Sequence, residues 1–314
     1  MSVARGVAAV TGATGFLGRR LVPALVASGW RVRVLVRRAP PGDFWEGCVP
    51  ELVAGDLSDH AALRALTADS DVLIHGAGLI KAARRSDFFA VNAEGARNAA
   101  QAAPTGGLLL ISSLAAREPR LSDYAASKQA GEALALAIAG QRLTVVRPPA
   151  IYGPGDRETL GLFRLAARSP ILPLPGPATA RLALAHVDDV VAAIVALVGR
   201  ASRPPLVAIG GARPEGYGWR EILEAAAWAM GRRPRFLPIA AWCLQTAAAI
   251  SETAGRMAAR PVIFTRGKAR EILHGDWSVS LAELEPGGPP ARIGLEQGFA
   301  QTVAWYRAHG WLAR

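Results

Sequence analysis

Short, nearly continuous apolar runs alternate with helical periodicity through the first half of the chain. Val7–Val10, Arg31–Val36, Leu52–Ala54, Asp71–His75, Leu108–Ser112 and Leu143–Arg147 read as six strands. Runs this apolar suit strands buried on both faces. Helical patterns lie between them, the first running to about Ala27 with Gly29 as its stop, the others at about Asp59–Leu66, Phe89–Ala103 and Tyr124–Ala139. Pro23 falls inside the first and predicts a kink there, or an early place in the helix. Strands alternating with helices predict an α/β fold, a doubly wound parallel sheet covered on both faces. After about Pro148 the rhythm changes. Helices near Val187–Val198, Trp219–Met230 and Ala240–Met257 alternate with short strands near Leu206–Ile209 and Arg235–Leu237. This half predicts the remaining sheet elements plus a smaller mixed lobe, with the chain interleaving the two.

Between the first strand and its helix stands Thr11-Gly12-Ala13-Thr14-Gly15-Phe16-Leu17-Gly18. Glycines three apart in this place have a physical purpose. The first permits a tight turn, the second lets backbone approach a pyrophosphate, and the third lets helix pack on strand. The helix N-terminus then offers partial positive charge to the phosphates. Residues 1–150 are therefore read as a Rossmann-type dinucleotide-binding core, and 151–314 as the remaining sheet and the substrate lobe. Gly12, Thr14, Gly15, Phe16, Leu17 and Gly18 are the candidate contacts in this loop. The second strand ends Leu35-Val36-Arg37-Arg38, where an NAD site would place a carboxylate on the ribose. Arg37 and Arg38 suit a 2′-phosphate instead, so NADP is expected over NAD. Asp56, followed by Leu57, is placed to accept from the adenine amino group. Gly76, Ala77 and Gly78 let backbone lie against the adenosine ribose. His75 reads as a packed histidine rather than a catalyst.

Tyr124 and Lys128 are four apart at the start of an alanine-rich helix, hence on one face. Ser112 and Ser113 end the strand just upstream. Reduction of a carbonyl needs a proton donor for the developing alkoxide. A free phenol, with a pKa of about 10, releases its proton poorly at neutral pH. A neighbouring ammonium favours phenolate, and a serine hydroxyl can orient the carbonyl oxygen. Lys128 is one of only three lysines in the chain, beside Lys81 and Lys268. Arginine could not relay a proton in its place.

Thr11–Gly18, Asp56, Ser113, Tyr124-Ala125-Ala126-Ser127-Lys128 and Arg147-Pro148-Pro149-Ala150-Ile151-Tyr152-Gly153-Pro154-Gly155 together resemble an extended short-chain dehydrogenase/reductase. Arg181 and His186-Val187-Asp188-Asp189-Val190 resemble a later marker of that family. The resemblance covers nearly the whole chain. It implies that Tyr124 is the acid/base, that Lys128 binds the nicotinamide ribose and tunes Tyr124, and that Ser113 rather than Ser112 orients the carbonyl. It gives Asn92 a structural position and sets Arg147-Pro148 on the nicotinamide side of the cleft. Asp188 and Asp189 are read as capping the helix they open. The Ser113–Tyr124 segment is short, and Ser113-Leu114-Ala115 lacks the Thr-Asp-Glu signature of sugar dehydratases, so sugar dehydration is not expected. The nearest branch is the atypical one, similar to complex I accessory subunits and hydroxysteroid dehydrogenases.

Composition adds three points. Cys48 and Cys243, far apart, exclude a disulfide framework or a zinc site as the organising principle, and no metal is expected. A reducing, cytoplasmic setting follows, and Met1–Gly6 leads straight into a strand without a signal peptide. The formal net charge is +11, carried almost wholly by arginines spread along the chain. Codon supply explains most of that. With no aromatic–basic motif beside it, nucleic-acid binding is not expected. Arg232-Arg233-Pro234-Arg235 precedes the apolar Ala240–Met257 helix, which Trp242, Gln245, Glu252 and Arg256 interrupt. That helix reads first as packing for the lobe, with peripheral membrane contact as the sharper alternative. Ile171-Leu172-Pro173-Leu174-Pro175 adds apolar residues where the family meets its substrate. The leading expectation is an NADP-dependent ketone/alcohol oxidoreductase acting on a lipid-like small molecule, for instance a 3-oxo sphingoid, a ceramide or a sterol-like alcohol. The alternatives are a nucleotide-sugar epimerase, with Arg181 on a phosphate, and a cofactor-binding accessory protein without catalysis. A monomer or a homodimer is expected.

Overall fold

The structure is a computed structural model that describes residues 5–258, 262 and 264–313. Residues 1–4, part of the N-terminal reading above, lie outside the described residues. In chain order the first elements are β1 (Val7–Thr11), α1 (Phe16–Ala27), β2 (Arg31–Val36), β3 (Glu51–Ala54), α2 (His60–Thr67) and β4 (Val72–His75). There follow α3 (Arg85–Phe88), α4 (Gly95–Ala102), β5 (Leu108–Ile111), α5 (Asp123–Ala139) and β6 (Leu143–Arg147). The chain continues through β7 (Ala150–Tyr152), α6 (Leu160–Arg168), β8 (Ile171–Leu174), β9 (Arg181–Leu182), β10 (Leu184–His186), α7 (Val187–Val198) and β11 (Leu206–Ala208). It closes with α8 (Trp219–Ala229), β12 (Arg235–Pro238), α9 (Ala241–Met257), α10 (Arg266–Leu273), β13 (Asp276–Trp277) and α11 (Leu295–Ala308).

Two compact units emerge. The first comprises residues 1–147, 191–207 and 287–289, and the second 148–190, 208–286 and 290–314. The first unit is built on a seven-stranded sheet in the order β11-β6-β5-β4-β1-β2-β3. The β1, β4 and β5 positions are all buried, as doubly covered strands require. Leu63 and Leu66 from α2, Ala96 and Ala99 from α4, and Ala135 from α5 close one apolar cluster over Leu73 and Leu108. The alanines let these helices lie close to the sheet. Pro23 sits in the middle of α1, which runs through it to Ala27.

The second unit holds three short parallel ribbons, β10 with β7, β12 with β8 and β13 with β9. Its core is aromatic: Phe163 and Phe299 meet edge-on at 5.0 Å, and Tyr152 packs on Phe299 at 5.0 Å. The Tyr306 hydroxyl is satisfied by donating to the Asp156 carbonyl at 2.5 Å.

One element departs from its expected form. The helix predicted over Phe89–Ala103 begins at Arg85, and Phe89–Glu94 is a π-helical segment between α3 and α4. A π turn carries an extra residue per turn and re-aims the side chains within it. Apolar periodicity registers the helix but not the widened turn.

Candidate active site

The loop between β1 and α1 is held by close backbone packing. Gly12 has φ +75°, and a Cβ there would meet the Gly76–Ala77 backbone at 2.5 Å. A Cβ at Gly18 would fall 2.2 Å from the Gly12 carbonyl oxygen, so α1 can start where it does only with glycine at that position. The Gly15 N–H closes the turn on Gly12 O at 3.0 Å. Gly15 is also the N-cap of α1 and lends no side chain, so the first-turn N–H groups receive no side-chain cap. Thr14 and Gly15 are exposed, and Phe16 and Leu17 are half-buried. Trp45, which sequence reasoning passed over, is buried and donates its indole N–H to Ala13 O at 3.2 Å. An aromatic pair, Phe44-Trp45, in a loop flanked by Pro41 and Gly47 was the available signal.

Arg37 and Arg38 are exposed at the carboxyl end of β2. Neither makes an ion pair among the described residues. The Asp56 carboxylate accepts from the Ser58 hydroxyl at 2.6 Å and from its N–H at 2.8 Å. These bonds, with a smaller contribution from Arg37, hold Asp56 below the usual carboxylate range. The cap of α2 is Asp59, accepting from Ala62 N–H at 2.9 Å, so Asp56 is not spent on that helix. Leu57 packs its side chain on Gly95 and gives its carbonyl to Asn98 at 2.9 Å.

Lys128 is buried one turn after Tyr124 on α5, and its ammonium donates to Ile111 O at 2.8 Å. Burial pushes its pKa down to about 8, against an opposing pull from Glu132. Glu132 was not singled out by the sequence, although it continues the four-residue spacing. Its carboxylate accepts from Arg147 Nε at 2.9 Å and Nη2 at 2.5 Å, and from the Ser112 hydroxyl at 2.5 Å. Ser112 is thereby committed inside the core. Ser113 is half-buried and caps a 3-10 turn, accepting from Ala115 N–H at 3.2 Å, which leaves its own proton to donate. His75 is fully buried, bonds Thr11 Oγ1 at 2.8 Å, and is held neutral with its pKa lowered to about 3 by burial and then by Lys128.

Asn92, within the π segment, ties these parts together. Its Oδ1 accepts from Leu79 N–H at 2.7 Å, and its amide donates to Leu79 O at 2.9 Å and to Ser127 Oγ at 2.9 Å. Ser127 in turn donates to Tyr124 O at 2.7 Å. The Tyr124 ring packs edge-on against Phe88 at 6.3 Å. A Cβ at Gly78 would lie 3.1 Å from Asn92 Oδ1 and 3.8 Å from Lys128 Nζ. The bare backbone there leaves a cradle beside the ammonium. That cradle, the uncapped start of α1 and the unpaired arginines after β2 fit a nicotinamide dinucleotide along the carboxyl ends of these strands.

In the second unit, Pro148 opens the segment leading to β7, and Arg181 donates to the neighbouring Ala180 O at 3.0 Å. The expected capping role of Asp189 is corrected. Its two oxygens accept from the N–H groups of Arg292 and Ile293, each at 3.0 Å, and clasp that distant segment. A long-range clasp leaves no local spacing to read. The Asp188 N–H donates to His186 Nδ1 at 3.3 Å, and its carboxylate stands 3.7 Å from the same nitrogen.

The profile of the NAD dependent epimerase/dehydratase family matches residues 8–210. The chain is 51% identical over 313 residues to a protein named ceramide reductase from Caulobacter vibrioides (strain NA1000 / CB15N), covering 99% of this chain and 98% of that one. Among solved structures, gox2253 superposes with a TM-score of 0.75 at 24% identity, covering 97% of this chain and 98% of that chain. MoeE5 in complex with UDP-glucose and NAD gives 0.67 at 25% identity, covering 96% and 99%. The family profile over most of the chain and the full-length relative show that the chain belongs to the NAD-dependent epimerase/dehydratase family, among the extended short-chain dehydrogenases/reductases.

Proposed function

We propose that the chain is an NADP-dependent oxidoreductase that interconverts a ketone and a secondary alcohol on an apolar, lipid-like substrate such as a 3-oxo sphingoid or ceramide or a sterol-like molecule. The observation that carries this reading is the full-length, 51% likeness to a protein named ceramide reductase. A bound nicotinamide supplies or accepts the hydride. The rest falls to the chain. The Ser113 hydroxyl donates to the carbonyl oxygen and orients it. Tyr124 passes its phenolic proton to that oxygen as charge develops there. The Lys128 ammonium, fixed on Ile111 O, stabilises the phenolate left behind. Arg37 and Arg38 take the 2′-phosphate, which favours NADP over NAD, and Asp56 accepts from the adenine amino group. Pro148 borders the nicotinamide. The Gly12–Gly18 loop and Gly76–Gly78 receive the diphosphate and the adenosine ribose. A substrate of this kind resides in a bilayer, so peripheral contact with a membrane accompanies the reading.

The test is NADPH oxidation against a panel of 3-oxo lipids and nucleotide sugars. Oxidation dependent on an oxo-lipid, lost in Tyr124→Phe, supports the proposal. Sugar interconversion without net cofactor oxidation supports the epimerase instead. Cofactor binding with neither reaction supports an accessory role.

A further inference from the structure

Two elements of the second unit that follow closely in the chain, β12 with its partner β8 and then α9, carry exposed apolar positions in a pattern that is not that of a solvated surface. In α9, 17 residues long, Trp242, Thr246, Ile250, Thr253 and Met257 are all exposed. At about 100° per residue they fall within an arc of roughly 80° along a helix of about 25 Å. Three of the five are large and apolar: Trp242 is 68%, Ile250 66% and Met257 85% exposed. The opposite face holds the buried Ala248 and Gly255. Single exposed apolar residues are ordinary, but an aligned stripe without a charge is not. The one acid of this helix, Glu252, is engaged by the Arg266 N–H at 2.9 Å.

The ribbon just before α9 repeats the pattern. In the β8–β12 pair, Ile171 stands opposite Arg235 and Pro173 opposite Leu237, while Leu172 and Phe236 face the core. Alternation therefore puts Ile171, Arg235 and Leu237 on the outer face, where Ile171 is 49% and Leu237 58% exposed. The two strands are parallel, so the residues leading into both lie at one end. Arg168 precedes β8, and Arg232 and Arg233 precede β12. All four arginines are exposed, and none has an ion pair among the described residues. The sequence keeps acids away: residues 159–187 and 225–251 contain six arginines and no Asp or Glu.

We propose that the α9 stripe and the outer face of the β8–β12 ribbon act together as one surface that docks on an anionic lipid bilayer, with the stripe and Leu237 entering the interface and Arg168, Arg232, Arg233 and Arg235 meeting lipid phosphates. Charge selects the occupant, because unpaired guanidinium groups flanking uncharged apolar side chains complement a negative headgroup layer over hydrocarbon. Among the described residues no helix is long and apolar enough to cross a membrane, so the contact is interfacial. The inference deepens the membrane contact that the lipid-substrate reading brings, and the two fail separately, since reduction of a detergent-dispersed lipid can succeed while docking fails.

The experiment is co-sedimentation of the full chain with phosphatidylcholine vesicles, with and without roughly one-third phosphatidylglycerol. Binding is expected only with the anionic lipid and is expected to weaken in about 0.5 M salt. Trp242→Ser combined with Ile250→Ser should lower it about tenfold or more. Replacing Arg232, Arg233 and Arg235 with Gln should do so by a similar or larger factor. Unchanged thermal melting guards against misfolding, and quenching by brominated lipid that disappears in Trp242→Phe places the residue directly. Equal binding to both vesicles, or binding untouched by either set of substitutions, overturns the proposal. So does a dimer in sedimentation velocity that Trp242→Ser converts to monomer, which would make the stripe a contact between copies.

Discussion

The Arg147 guanidinium grips the Glu132 carboxylate through two nitrogens, at 2.9 Å and 2.5 Å, one helical turn beyond Lys128. Arg147 ends β6 and Glu132 lies on α5, so the pair pins the Lys128-bearing helix to the sheet. Both side chains are largely buried. Removing one partner strands the other's charge and also frees the Ser112 hydroxyl. Glu132→Leu is expected to cost about 3–5 kcal/mol, read as a fall in urea midpoint. Glu132→Gln keeps the shape and should cost less. An unchanged midpoint in Glu132→Leu would mean the pair holds nothing in place.

Asn92 supplies three hydrogen bonds from one side chain and connects Leu79 to the Ser127–Tyr124 turn. Asn92→Ala leaves the Leu79 N–H without its acceptor, and each such buried loss costs about 1–3 kcal/mol. Thermal melting should fall accordingly, and turnover should fall further than stability alone explains because the Tyr124 turn loses its anchor. A variant with lowered melting but full turnover would show that Asn92 acts on the fold alone.

His75 sets a pH dependence with a definite sign. Its pKa is about 3 when folded, against 6.5 for the free side chain. Between those values the unfolded chain binds a proton and the folded one does not, so stability rises with pH through this window. The slope is at most about 1.4 kcal/mol per pH unit for one proton. His75→Asn should flatten the melting-versus-pH curve between pH 4 and 6 relative to the parent. Lys128 acts in another window: its folded value of about 8 lies below the free 10.5, so its contribution also rises with pH, between those two values.

The sheet was legible because its strands are short and apolar, and the glycine loop because its spacing has a backbone purpose. Tyr124 and Lys128 were legible because they share a helix face. Glu132, Trp45 and the Asp189 clasp were not. Each depends on a partner 15 or more residues away, and only the folded register brings Arg147 to Glu132 or Ala13 to Trp45. The π turn escaped for a different reason: apolar periodicity averages over one inserted residue. The strand near Arg235–Leu237 was legible as β12, but its pairing with β8 was not, because β9, β10, α7, β11 and α8 lie between the two in the chain.

Cofactor choice is tested at the carboxyl end of β2. Arg37→Ala with Arg38→Ala should raise the NADPH KM about tenfold or more while leaving that for NADH nearly unchanged, as expected when charge-assisted bonds to a phosphate are lost. Equal effects on both cofactors would assign these arginines to the surface.

The most direct measurement is the rate of NADPH oxidation by the full chain with a detergent-dispersed 3-oxo ceramide, compared with Tyr124→Phe. Stoichiometric formation of the secondary alcohol is expected, with a loss of about 10²–10⁴-fold in the variant and retained NADPH binding. No oxo-lipid-dependent oxidation, or an undiminished rate in Tyr124→Phe, would contradict the assignment.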